Sequence, residues 1–172
     1  MKSGTPSSPS ALTPNQARLL AAVAERIFPA TDSPGALEAG ALDYIAAGLA
    51  GDYAALLPDY RKGLRALDAH AREKFGGRFI ALGDAEKDAV LADFEAGRAR
   101  FQQAADFFET VRCHILEGVF CEPRYGGNRG LAGWRLVGFP GQQFGYPDPY
   151  INRRVDLAPV AADDPADESD DG

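Results

Sequence analysis

The chain has 172 residues, 45% of them hydrophobic and 25% charged, which is the size and balance of one globular domain with tails. A ~150-residue domain hides about two-thirds of its unfolded surface, so no staple is needed for folding. The two cysteines, Cys113 and Cys121, exclude a disulfide-rich scaffold and a four-cysteine zinc site. No uncharged apolar run reaches the ~18 residues of a membrane span, so direct membrane insertion is not expected. The formal charge of −7 is concentrated at one end: residues 163–172 carry six acids and no base, leaving −1 for everything else. A nearly neutral body has no basic field to gather phosphates, so nucleic acid is not an expected partner.

In chain order, residues 1–11 are rich in Ser, Pro and Gly with a single lysine and read as a flexible segment. No apolar stretch follows, as an export signal would require. The chain as written therefore reads as cytoplasmic, or as periplasmic if it is a mature form or is exported with a partner. Thr13-Pro14-Asn15-Gln16 is a helix start: Thr13 caps, Pro14 suits the first turn and Gln16 completes a capping box. Leu19, Leu20, Val23 and Ile27 then recur at helical spacing, and Pro29 ends the element. A second helix is expected from Ser33-Pro34 to about Leu49, facing inward with Leu37, Ala41, Tyr44, Ile45 and Leu49. A third spans about 52–75, interrupted near Pro58 and closed by Gly76-Gly77. Asp84 is read as the cap of a fourth, bearing Val90, Leu91 and Phe94. The fifth spans about 100–118 with Phe101, Ala105, Phe108, Val111 and Ile115 on one stripe. No window alternates with period two. The expected fold is all-α, a small bundle of about five helices, making one domain over 12–160 with an acidic disordered tail at 161–172.

Composition changes abruptly at residue 118: the stretch to residue 150 holds eight of the nineteen glycines and seven of the seventeen aromatics. Glycine at this density argues against a regular helix or strand. The aromatics argue against disorder, so an ordered irregular arm is expected. Within it lie Tyr125-Gly126-Gly127-Asn128-Arg129, Gly133-Trp134 and Phe139-Pro140-Gly141. Paired glycines beside Asn permit tight turns, and a tryptophan among arginines has the composition of an interface. These ten residues are read as a candidate partner interface, against the alternative that the arm folds onto its own bundle.

Nothing else suggests catalysis. Cys113 and His114 are neighbours on a helix and point about 100° apart, so they read as a buried thiol and a hydrogen-bonded imidazole rather than as a nucleophile pair. A disulfide between Cys113 and Cys121 remains open if the helix stops near Gly118. His70 lies among Asp68, Arg72 and Glu73 and is expected to face solvent. No catalytic residue, metal ligand or cofactor-binding residue is assigned.

The arm motifs, together with Pro29-x-Thr31-Asp32-x-Pro34-Gly35-Ala36 some 90 residues earlier, resemble the gluconate 2-dehydrogenase subunit 3 family. The resemblance covers roughly residues 12–150. It implies a small, non-catalytic subunit that stabilises or matures a large FAD-containing oxidoreductase subunit of the glucose-methanol-choline class, with a cytochrome c subunit as a further partner, or else a transient chaperone or export escort of that flavoprotein. FAD is then expected in the partner and no cofactor in this chain. The sequence departs from the family where Phe139 stands in place of a frequent tyrosine and where the twin-arginine signal common in members is missing.

Overall fold

The computed structural model describes residues 11–141. The expected tail, and the arm beyond Gly141, lie outside them. Six α-helices are present among the described residues: α1 (Pro14–Ile27), α2 (Ala41–Ala50), α3 (Leu57–Phe75), α4 (Asp84–Glu95), α5 (Ala104–Phe120) and α6 (Ala132–Val137), joined by short 3-10 turns. The fold is all-α.

Local chemistry explains most boundaries. Thr13 N–H donates to Gln16 Oε1 at 3.0 Å and Gln16 N–H to Thr13 Oγ1 at 3.3 Å, the expected capping box. Pro58 does not interrupt α3. It occupies the first turn, where its missing N–H has no intrahelical acceptor to lose, and a 3-10 turn at Ala54–Leu56 leads into it. Gly76 closes α3 in the left-handed conformation at φ 75°. The residue that caps α4 is Gly83 rather than Asp84, and Glu86 Oε2 reaches back to accept its N–H at 3.0 Å. Helix α2 begins seven residues later than expected, because residues 36–40 form a turn ending in Gly40 at φ 80°.

α5 is the axis of the bundle, touching α1, α2, α3, α4 and α6. Its buried face consists of Ala104, Phe107, Val111, His114, Ile115, Gly118 and Val119. This corrects the expected stripe: Ala105 is exposed, Phe108 is half-buried and Phe101 precedes the helix. Around this face Tyr60, Leu64 and Leu67 of α3, Ile45 and Leu49 of α2, Val23 of α1 and Val90 and Phe94 of α4 are almost wholly enclosed. Burial of each large side chain contributes about 1.5–3 kcal/mol.

Two expectations about polar groups change. His70 is not solvent-facing: its Nε2 lies 2.9 Å from Asp93 Oδ2, and only 15% of its side chain is exposed. Asp93 also accepts from Lys74 Nζ at 2.6 Å and Arg98 Nε at 3.0 Å. These hydrogen bonds, Lys74 first, hold its carboxyl well below the usual carboxylate range. Cys113 and Cys121 are free thiols. α5 runs through Phe120, so the eight residue steps from Cys113 to Cys121 span ~12 Å at 1.5 Å per residue, beyond the reach of a disulfide.

Candidate interaction surface

The arm is far more helical than its glycines suggest. Two 3-10 turns, Pro123–Tyr125 and Arg129–Leu131, precede α6. What organises it is the C-terminal end of α5, whose last carbonyls have no acceptor duty within the helix. Asn128 N–H donates to Gly118 O at 2.7 Å, and the Trp134 indole N–H donates to Phe120 O at 2.7 Å. Asn128 itself is 0% exposed, and its Oδ1 accepts the Gly133 N–H at 2.9 Å. A side chain on Gly127 would collide with Gly118 O, and one on Gly133 with Val119 O. Glycine is required at both because the arm's backbone lies directly on the helix end. Asn128 and Leu131 sit at φ 44° and 59°, a conformation few non-glycine residues adopt.

The same arm is stitched to the first loop, the segment between α1 and α2, and to the start of α2. Arg129 N–H donates to Ala39 O at 2.9 Å, and the Arg129 guanidinium pairs with Asp43 of α2. A shallow groove of about 410 Å³ runs between Asp32-Ser33-Pro34 on one side and Arg129, Arg135 and Leu136 on the other. Two motifs some 90 residues apart in sequence thus form one surface.

The ten arm residues divide by burial. Gly127, Asn128, Gly133, Trp134 and Gly141 are buried and Pro140 is half-buried, whereas Tyr125, Gly126, Arg129 and Phe139 are exposed. Trp134 is only 6% exposed and stacks edge-on against Phe139 at 4.9 Å. It anchors the arm to its own bundle rather than meeting a partner directly. Leu136, Val137 and Phe139 are 49%, 60% and 44% exposed and form an apolar ledge at the end of α6. Leu136 and Val137 were not singled out from the sequence; Leu136, two residues after Trp134, falls on the opposite side of the helix, and Val137 is exposed because α6 ends there.

A second feature was missed entirely. On the other flank of the arm, a groove of about 820 Å³ lies between α2, the end of α5 and the turn at Tyr125. The Tyr44 and Tyr53 hydroxyls are 3.0 Å apart, and 3.1 and 3.3 Å from Glu117 Oε2. Burial, with hydrogen bonds to Tyr53 and Glu117, pushes the Tyr44 hydroxyl above its ordinary pKa. Tyr53 stacks on His114 at 4.5 Å, and His114 Nδ1 lies 2.8 Å from the buried Tyr60 hydroxyl. Burial lowers the His114 pKa and raises that of Tyr60. The imidazole is therefore neutral at pH 7 and shares one hydrogen bond with the Tyr60 hydroxyl, its direction set by the imidazole tautomer. Cys121 also lines this groove, its thiol held protonated by burial. The i, i+3 spacing of His114 and Glu117 was the only hint of this column in the sequence.

Among the described residues no group of three or more His, Cys, Asp or Glu side chains could hold a metal ion, and no helix is long and apolar enough to cross a membrane. Neither a curated protein sequence nor a solved structure matches the chain. The sequence model of gluconate 2-dehydrogenase subunit 3 matches residues 14–141, from the first turn of α1 to the last described residue of the arm. With the first loop and the arm locked together across that whole span, the chain belongs to the gluconate 2-dehydrogenase subunit 3 family.

Proposed function

We propose that this chain is the non-catalytic small subunit of an FAD-dependent dehydrogenase complex of the glucose-methanol-choline type, and that it stabilises or matures the large flavoprotein subunit by packing against it. The observation that carries the reading is the apolar ledge of Leu136, Val137 and Phe139, held on an arm whose backbone is fixed by Asn128 and Trp134. Exposed apolar side chains grouped beside arginines are what a protein partner covers. A rigid ledge loses little conformational entropy on binding. A subunit that binds only the folded flavoprotein raises its stability by mass action.

The described residues form helices and no strand, so no strand–loop–helix cradle for a dinucleotide is found among them. In this reading FAD belongs to the partner, which supplies the redox chemistry of sugar or sugar-acid oxidation. A cytochrome c subunit is a further candidate member of the complex.

The test is size-exclusion chromatography monitored at 280 and 450 nm, on this chain alone and co-expressed with a flavoprotein large subunit from the same organism. Comigration with a yellow large subunit is expected. A yellow peak from this chain alone would make it a flavin binder, and a colourless peak that stays separate in both cases would favour a transient chaperone.

A further inference from the structure

We infer that the groove between Tyr44, Tyr53, Glu117 and Tyr125 is a docking site for an arginine-bearing segment of the dehydrogenase large subunit, an inference that rests on the accessory-subunit reading. Glu117 is the centre of the argument. Its Oε2 receives the tyrosine hydroxyls, which fix the direction of the carboxylate. The carboxylate has no cationic partner among the described residues, and its Oε1 has no hydrogen bond there. Asp52, which also lines the groove, is likewise without an ion pair among them, whereas Glu122 is paired with Arg124 at 2.8 Å. The groove therefore carries three acids against one base, a surplus of negative charge facing an open space of about 820 Å³.

The walls specify what kind of cation fits. Tyr44 and Tyr53 meet edge to face at 6.4 Å, and Tyr125, 59% exposed, lines the same groove. Aromatic faces beside a fixed carboxylate suit a planar guanidinium, which stacks on rings and forks a carboxylate at once, better than a compact ammonium. A space of about 820 Å³ is large enough for several residues flanking that arginine. Tyr125 and Gly126 belong to the arm itself, so a partner that covers the ledge on one flank of the arm continues into the groove on the other.

The experiment measures the dissociation constant of the full chain with the large subunit, at low and high salt, for wild type, Glu117→Gln, Asp52→Asn and Tyr125→Ala. Glu117→Gln keeps an acceptor for the tyrosine hydroxyls and removes only the charge. The exposed Asp52 and Tyr125 side chains can be changed without disturbing the core, so each variant should unfold at the wild-type temperature. Glu117→Gln and Tyr125→Ala should each weaken the complex at least tenfold, with Glu117→Gln and Asp52→Asn also flattening its salt dependence. A wild-type complex that these variants leave within twofold would overturn the groove assignment and leave the subunit reading intact. A wild-type chain that forms no complex overturns both. An isolated wild-type dimer that Glu117→Gln dissolves would assign the groove to a second copy of this chain and overturn the proposal.

Discussion

His114 shows how one residue ties the core to the groove. Stacked on Tyr53 and hydrogen-bonded to Tyr60, it is neutral because burial disfavours its charged form. Glu117, Tyr53 and Tyr60 are the polar groups around it, and Glu117 opposes the shift without reversing it. Its folded pKa is lower than its unfolded value of about 6.5, so the unfolded chain binds the proton more readily. Stability from this residue is complete above that value and is lost as pH falls toward the folded pKa. Urea unfolding between about pH 7 and 5 should show this slope, and His114→Gln should flatten it. Asp93 acts in a lower window: its depressed carboxyl supports the fold above about pH 4, the usual Asp pKa, and that support is lost on further acidification. Asp93→Asn should remove that acid limb and leave the His114 slope in place. The sequence identifies His114 as hydrogen-bonded but misplaces His70, because the polar neighbours of His70 on its own helix conceal α4, from which Asp93 reaches it.

Among the elements, the arm departs furthest from its composition. Its glycines read as breakers, yet they permit contact: Gly127 and Gly133 bring backbone onto the end of α5, where unpaired carbonyls require donors. Asn128→Ala removes the acceptor for the buried Gly133 N–H and places alanine at a positive φ. The cost should be about 2–4 kcal/mol. Trp134→Ala should cost about 3–5 kcal/mol through lost packing and an orphaned Phe120 carbonyl. Thermal unfolding checks both, and in each case proteolysis should begin in residues 121–141 while the α1–α5 core persists. The start of α1, the end of α3 and the apolar face of α4 were legible because capping residues and apolar spacing act locally. α6 was not, because a six-residue helix has too few turns to show a period and is stabilised by its contacts with α5.

For the molecule as a whole, the consequence is a surface assembled from distant segments. The first loop and the arm are joined by Arg129, through its backbone to Ala39 and its guanidinium to Asp43. The ledge of Leu136, Val137 and Phe139 lies beside that joint. Val137→Asp should leave the unfolding temperature of the isolated chain within about 2 °C, since exposed substitutions usually shift stability by less than ~0.5 kcal/mol. The same change should weaken association with the large subunit at least tenfold, read by titration of the purified proteins. Trp134→Ala, in contrast, should lower both stability and association, because it releases the ledge rather than altering its chemistry.

The sequence by itself determined the helical class, the capping of α1, the end of α3 and the family, all of which follow from local spacing or from motifs that are contiguous in the chain. Tertiary structure decided which arm residues face inward: Trp134 and Asn128 turn toward α5, while Tyr125, Arg129 and Phe139 remain outside. It alone assembled the Tyr44–Tyr53–Glu117 groove, whose members come from two helices and a loop up to 73 residues apart. The physical reason is that side-chain direction in the arm is set by the orphan carbonyls of a different element, and no periodicity within the arm's own residues encodes where those carbonyls lie.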